Sequence, residues 1–308
     1  MTSRIASVAA FVRLPFHLVG VMPFALGTVI AWRRTGAFRG DIFALGVTAV
    51  VMIMLATYAA GERWDEREDK RSQMRQVKSR FAGGSGTVVR GEVSRRAALA
   101  TSVISLVLAA SIGVILQTVY RTGSWTVPLG AIGIVGGFFY STPPIRWVSR
   151  GIGELWIGLC YGWLPIVVAA YLQTGSFLPW ASITALPVGL SIFNVILLNE
   201  FPDYDADRAA GKRNLLVRLG PRTVVRIHTG VCAALLASTV WIVTLGWTPL
   251  VLLPVAPVLL LAAAVAGAVA AGGWRDPHRL ERLCAGNIIV NLGITTAFLI
   301  LFLVELPR

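Results

Sequence analysis

Charge is what this chain has least of. Only 14% of its 308 residues are Asp, Glu, Lys or Arg, where a soluble domain carries about 25%. With 56% hydrophobic residues and a mean hydropathy of +0.71, that shortage excludes a soluble globular protein and points to the membrane class. Cysteine and histidine are as sparse, at three residues each. Cys160, Cys232 and Cys284 lie far apart in or beside apolar runs. They form no CxxC or metal-type spacing and read as reduced packing residues. Long polar stretches are missing too. The longest, 61–96, has 36 residues, too few for an independent core. The first apolar run is long and lacks a small-residue cleavage site before polar sequence, so no cleavable signal peptide is expected.

What is present is a series of apolar runs. A helix needs ~20 such residues to span the hydrocarbon, so the chain could hold roughly eight to ten spans. Nine are expected, at about 14–31, 42–60, 97–119, 126–140, 152–171, 181–199, 227–245, 248–272 and 284–304. The expected architecture is an all-α, polytopic bundle around a central cavity, one transmembrane domain over residues 1–308. Of the 28 Lys and Arg residues, 23 fall on one side of that arrangement and five on the other. The positive-inside rule places the N-terminus and the basic side in the cytoplasm, and the expected location is the cell inner (plasma) membrane. The net charge of +13 is therefore a topology signal. The partner it implies is the lipid bilayer, not nucleic acid.

Two acidic clusters interrupt this pattern, both on the cytoplasmic side. The stretch "LNEFPDYDADRAAGKRN" sets Glu200, Asp203, Asp205 and Asp207 directly after an apolar run and follows them with Arg208, Lys212 and Arg213. Asp203 and Asp207 sit four apart, on one helix face, and Pro202 predicts a kink or restart just before them. The second expected span runs into "GERWDEREDKR", where Glu62, Asp65, Glu66 and Asp69 are spaced to share a face. "GGSG" at 83–86 breaks that helix, and Ser94 is the expected N-cap of the third span. Each cluster follows an even-numbered span, which hints at an internal duplication. Carboxylates gathered at one membrane depth repel and need a cation. Oxygen ligands without nearby Cys or His favour magnesium, which takes its remaining ligands from water and phosphate oxygens. Two such clusters facing each other would clamp a diphosphate, with Lys212, Arg213, Arg80 and Arg146 as candidate neutralising cations. Glu66, Glu68 and Asp205 are expected to be solvated surface charges. A transporter would place its charges near the midplane beside broken helices, and the expected midplanes here are almost uncharged.

These residues carry a resemblance. "NEFPDYDADRAAGKRNLLVRLG" resembles the second aspartate-rich motif, DxxxD, of the UbiA superfamily of intramembrane prenyltransferases, with Asp203 and Asp207 in the acidic positions. "GERWDERED" is similar to the first motif, commonly NDxxDxxxD, with Glu62, Asp65 and Asp69 in its acidic positions and Gly61-Glu62 where the family usually has Asn-Asp. "YSTPPIRWVSRGIGEL" looks like the YxxPP segment followed by an RGxGE turn. The three motifs arrive in order at the ends of spans two, four and six, over the first two-thirds of the chain. "GKRNLLVRLG" and "SRFAGGSGTVVRGEVSRR" look most like the 1,4-dihydroxy-2-naphthoate polyprenyltransferase branch of menaquinone synthesis. The resemblance implies magnesium-dependent transfer of a polyprenyl group from its diphosphate to a small aromatic acceptor. Asp65, Asp69, Asp203 and Asp207 would be catalytic, and with Glu62 they would be the metal ligands. Lys212, Arg213, Arg146 and Arg80 would contact phosphate.

The allylic cation left by diphosphate departure needs an apolar, water-poor pocket. Phe138, Phe139, Tyr140, Trp156 and Tyr161 could line it, Tyr140 gaining weight from its place in the motif. Asn194 and Asn199 are candidate substrate contacts. His17 could touch the acceptor, whereas Asn287 and Asn291 are expected to bond across helices. The same chemistry would also suit 4-hydroxybenzoate, homogentisate, haem or a glycerol phosphate ether as acceptor, or a membrane terpene cyclase. Outside catalysis, a lipid-binding scaffold is the alternative.

Overall fold

The computed structural model of the chain describes residues 4–73, 79, 81, 83–247 and 252–305. Its described residues form helices and turns and no strand. Helices α1 (Arg4–Val12) and α2 (Leu18–Thr35) are joined by a 3-10 turn at Leu14–His17, and α3 (Gly40–Trp64) is followed closely by α4 (Glu66–Gln73). Then come α5 (Arg95–Thr118), α6 (Thr126–Ser141), α7 (Gly153–Ile157), α8 (Leu164–Thr174) and α9 (Pro179–Asn199). The chain closes with α10 (Tyr204–Ala210), α11 (Leu215–Leu219), α12 (Pro221–Gly246), α13 (Leu252–Ala270) and α14 (Pro277–Val304).

Among the described residues, eight stretches are long and apolar enough to cross a membrane, and they coincide with eight of the nine runs expected from sequence. The other, expected at 126–140, is α6, an apolar helix of only 16 residues. Large apolar side chains point outward from these helices: Ile104 and Val107 on α5 are 59% exposed and Leu253 on α13 is 70% exposed. Water would penalise that surface, whereas lipid accepts it because each helix satisfies its own backbone.

The inner faces pack by close approach. Leu26 and Ile30 of α2, Ile166 of α8, Val188 of α9, Leu235 of α12 and Phe298 of α14 belong to one buried cluster. Gly27 lets α2 and α8 touch, since a Cβ there would stand 2.0 Å from the Ile166 carbonyl oxygen. Gly27→Ala is therefore expected to lower stability by ~1–3 kcal/mol. The check is a thermal melt in detergent beside Gly230→Ala, a position on α12 with open space around it. Equal melting temperatures for the two variants would remove this account of the α2–α8 contact.

Three local features position the site. Ser94 caps α5 by accepting from the Ala97 amide at 3.1 Å, as its sequence predicts. Between α7 and α8 the chain makes a π-turn over Gly158–Trp163. Such turns displace side chains from the regular helical register, and this one presents Cys160 and Tyr161 to the bundle cavities. The third feature is at Pro202, where the expected break occurs: α9 ends at Asn199, and Asp203 stands immediately before α10. The three cysteines are free, Cys232 and Cys284 buried and Cys160 half-buried.

Candidate active site

The second and sixth expected spans end on one cavity of about 220 Å³. Glu62, Asp65 and Asp69 line it from the end of α3 and from α4, and Asp203, Asp207 and Lys212 line it from the turn and helix after α9. The helix does not run straight through the first cluster. It breaks at Asp65 (φ −96°, ψ 12°) while the Asp65 and Asp69 amides still bond to the carbonyls of Gly61 and Asp65. The break keeps Glu62, Asp65 and Asp69 facing the cavity and turns Glu66 away, where Arg95 binds it at 2.5 and 2.6 Å.

Each carboxylate has a defined partner. Asp65 accepts from the Ser141 hydroxyl and from the Arg146 guanidinium at 2.9 Å. Asp69 accepts from the Gly84 amide at 2.8 Å. Glu62 accepts from the Ser85 amide and, at 3.3 Å, from the Thr87 hydroxyl. Asp203 accepts from the Ser72 hydroxyl at 2.6 Å, a bond that ties α4 to the turn before α10. Asp207 accepts from the Asn214 side-chain amide at 2.9 Å and pairs with the Lys212 ammonium at 3.3 Å. The "GGSG" stretch thus lies across the first cluster with its amides directed at it. Gly84 is required there, because a Cβ would stand 2.1 Å from an Asp69 oxygen.

Burial drives the electrostatics. It pushes the Asp69 carboxyl up to about 7, with Asp65 and Glu62 adding to the rise and the Gly84 amide opposing it. Asp207 rises to about 6, burial outweighing the opposing Lys212. Asp65 is raised as well, again chiefly by burial. Burial works to lower the Lys212 ammonium, but Asp207 and Asp65 more than reverse it and hold it well above its ordinary value. This is a crowd of acids short of cations. Among the described residues no three Asp, Glu, His or Cys side chains converge closely enough to hold one ion alone. The donor set fits hard cations that complete their shells with phosphate oxygens and water.

Several expectations are corrected. Glu68 is not a solvated charge: it is buried at 6% exposure and binds Arg146 at 3.1 Å, because the bend at Asp65 rotates α4 toward the Tyr140–Arg146 segment. Asp205 is exposed, as expected. Arg146 neutralises Asp65 and Glu68 rather than lining the cavity, and Arg213 is exposed. Arg80 lies outside the described residues. The Asn194 side chain is turned from the cavity toward α12, its amide donating to the His228 carbonyl at 3.1 Å, while its backbone carbonyl accepts from the Asn287 side chain of α14 at 3.0 Å. A backbone carbonyl available across the helix interface captures its amide in this dry interior. Asn287 and Asn291 do bond across helices, Asn291 reaching Ser191 at 2.8 Å. Tyr140, Asn199 and Tyr161 line the cavity, whereas Trp156 stacks on Trp147 with ring centroids 5.3 Å apart and Phe138 packs edge-on against Phe139. His17 ends the 3-10 turn before α2, binding the Val12 carbonyl at 3.1 Å.

Three contributors were given no site role from the sequence. Arg13 reaches over the cavity from the N-terminal side, in left-handed backbone at φ 54°, and donates to the Gly83 carbonyl at 2.7 Å. Ser141 stands in the YxxPP segment beside the Tyr140 that was singled out. Glu200 lines the cavity while Glu154 of the RGxGE turn, its neighbour, accepts from the Leu215 amide at 2.6 Å. Burial and Glu154 raise the Glu200 carboxyl well above the ordinary range. No spacing rule marks such pairs, since they meet only through the fold.

Comparison with known proteins agrees with this geometry. The sequence profile of the UbiA prenyltransferase family matches residues 20–301. A 2-carboxy-1,4-naphthoquinone phytyltransferase from Synechocystis is 28% identical over 71% of this chain and 68% of its own length. A 1,4-dihydroxy-2-naphthoate octaprenyltransferase from Bacillus subtilis is 23% identical over 73% and 68%. Among solved structures, the apo form of a UbiA homologue from Aeropyrum pernix superposes with a TM-score of 0.70 at 20% identity, covering 92% of this chain and 97% of that one. A homologue from Archaeoglobus fulgidus, bound to GPP and Mg2+, gives 0.66 at 14% identity over 97% and 100%. The match spans nearly all of the helical bundle, both acidic clusters included, and the chain belongs to the UbiA prenyltransferase family.

Proposed function

We propose that this prenyltransferase carries a polyprenyl group from its diphosphate to 1,4-dihydroxy-2-naphthoate, with magnesium, at the cytoplasmic face of the cell membrane. One observation carries the reading: two acidic clusters from distant parts of the chain meet on one cavity whose neighbouring walls are apolar. The naphthoate acceptor is supported by the Bacillus subtilis relative, a 1,4-dihydroxy-2-naphthoate octaprenyltransferase, and by the Synechocystis relative, which prenylates a carboxylated naphthoquinone.

In this reading Asp65, Asp69, Asp203 and Asp207, with Glu62 beside them, hold the cations, and Lys212 and Arg13 meet diphosphate oxygens. Bound magnesium would supply charge neutralisation for the departing diphosphate. The protein's own residues do the rest. Lys212, held charged by Asp207 and Asp65, meets the charge that grows on the leaving group. Tyr140 and Tyr161 offer aromatic faces to the allylic cation, and Val195 and Ile288 help keep water from it. The acceptor ring binds beside Asn199 and Glu200, whose buried Asn199 Oδ1 and Glu200 Oε2 have no hydrogen-bond partner among the described residues and suit the hydroxyl groups of a hydroquinol. Glu62, with both oxygens taken by the 85–87 loop, also holds that loop in place.

The test is a product assay on purified protein in detergent, with radiolabelled geranylgeranyl diphosphate and 1,4-dihydroxy-2-naphthoate, with and without magnesium. A magnesium-dependent prenylated naphthoquinol, absent from Asp203→Ala, is expected. Diphosphate release without that product would reject the acceptor, and no release under any condition would reject the reaction.

A further inference from the structure

Helices α9 and α14 are joined by a ladder of polar contacts outside the acidic site. The Cys284 thiol reaches the Leu198 carbonyl at 3.8 Å, the Asn287 side-chain amide donates to the Asn194 carbonyl at 3.0 Å, and the Asn291 side-chain amide donates to the Ser191 hydroxyl at 2.8 Å. The rungs fall at spacings of three and four on both helices, in opposite order, so each helix turns one face to the other. Asn287 is the junction. Its nitrogen also meets His228 Nε2 of α12 at 3.0 Å, and the Asn194 side chain donates to the His228 carbonyl at 3.1 Å. An amide nitrogen can only donate, so His228 Nε2 accepts and its other ring nitrogen carries the hydrogen. Three helices are thus tied at one point, and directional bonds of this kind fix register more sharply than apolar packing does.

On an adjoining face, the same two helices wall the cavity that holds the carboxylates. Ile192 and Val195 of α9 and Ile288 of α14 line it, whereas Asn194, Asn287 and His228 do not. Ile288 packs with Ile192, Val195 and Tyr161 in one apolar cluster. Val195 follows Asn194 and Ile288 follows Asn287, each ~100° round its helix. Behind this wall the polar ladder is not self-sufficient. His228 Nδ1, a donor, and Asn194 Oδ1 and Asn291 Oδ1, both acceptors, are buried with no hydrogen-bond partner among the described residues. Polar atoms so placed are met as a rule by an ordered buried water. The wall therefore separates groups that call for water from a cavity in which an allylic cation must not meet it.

We propose that Asn287 is a positioning residue: by holding α14 in register with α9 and α12 it seats Ile288 as the barrier between those polar atoms and the cation, so that the acceptor and not water captures the prenyl group. The inference rests on the prenyl transfer proposed above and adds what decides its yield. In the side reaction that the barrier prevents, the bond from the allylic carbon to the diphosphate oxygen breaks, a water oxygen bonds to that carbon, and the proton it sheds goes to the diphosphate. The product is the prenyl alcohol.

The test is product partition in the purified protein, with radiolabelled geranylgeranyl diphosphate, magnesium and 1,4-dihydroxy-2-naphthoate, run in water carrying heavy oxygen. Capture of the cation by water puts the heavy oxygen in the alcohol, whereas a phosphatase, which breaks the phosphorus–oxygen bond, leaves it out. Ile288→Ala opens the barrier directly and Asn287→Leu removes what seats it. In each, the ratio of heavy alcohol to prenylated naphthoquinol is expected to rise about tenfold, with KM for the diphosphate held within about twofold. Asn287→Gln, which keeps both donors, recovers most of the transfer. Gly27→Ala, which disturbs the α2–α8 contact, lowers the melting temperature and leaves the ratio where it was. Where Asn287→Leu does not fold, Asn287→Ala is read in its place. An unmoved ratio in Ile288→Ala overturns the barrier, and a rise there with none in the folded Asn287 variant overturns the positioning role. A rise of the same size in Gly27→Ala assigns the effect to general loosening and overturns both. Each of these leaves prenyl transfer standing, whereas wild-type protein that releases no diphosphate rejects prenyl transfer and this inference with it.

Discussion

Asp207→Asn is expected to lower kcat/KM for the prenyl diphosphate at least a thousandfold, ~4 kcal/mol of transition-state stabilisation, while the protein still folds. The two halves of that expectation have separate causes. Asp207 is 3% exposed, accepts the Asn214 side chain at 2.9 Å and faces Lys212 at 3.3 Å. An amide of the same shape keeps an oxygen for Asn214, and Asn214 keeps its other bond, accepting from the Val217 amide at 2.9 Å to cap α11. The local fold therefore survives. What disappears is the negative charge, and with it one ligand of the proposed cation site and the first of the three carboxylates, Asp207, Asp65 and Asp203, that hold Lys212 charged. Lys212 is left with Asp65 and Asp203, and the cluster is expected to lose its grip on the diphosphate from the α10 side. Steady-state kinetics across a magnesium titration, beside a thermal melt, would separate the causes. A loss below tenfold with unchanged magnesium half-saturation would remove Asp207 from the metal-diphosphate site.

The fold class and the two acidic clusters were legible because their signals are local. Apolar runs of span length need no tertiary knowledge, and carboxylates at helical spacing beside such a run are costly enough to stand out. Ser94 and Pro202 were legible for the same reason, as a cap and a break that act within a few residues. The failures came where the fold decides. Glu68 and Glu66 look alike in "EREDKR", yet the bend at Asp65 sends one inward to Arg146 and the other outward to Arg95. Asn194 and Asn199 lie on one helix, but only Asn199 faces the cavity, because the His228 carbonyl holds the Asn194 amide from across the bundle. Arg13 was invisible as a site residue because its place above the cavity depends on a left-handed turn and a contact 70 positions away, at Gly83.

Acid is expected to switch off metal binding in two stages. Magnesium half-saturation rises about a thousandfold between about pH 8 and about pH 5 if both raised carboxyls must be ionised to hold the cation. The direction follows from the burial that lifts Asp69 to about 7 and Asp207 to about 6. A carboxyl raised in the metal-free protein holds a proton that the cation must displace, so affinity is full above the higher value and lost as pH falls. Below about pH 7 the proton on Asp69 costs roughly one decade of affinity per pH unit, and below about pH 6 Asp207 doubles the slope. Ordinary surface carboxylates, near 4, would leave the whole range flat. The same linkage requires magnesium to expel about one proton per site near pH 6.5, which calorimetry in two buffers of different ionisation enthalpy would read directly. Asp69→Asn removes the upper stage and leaves the lower one. A half-saturation constant that stays level from pH 8 to pH 5.5 would show that these carboxyls are ionised without metal, and that the crowding of acids around Lys212 is relieved by something other than the cation.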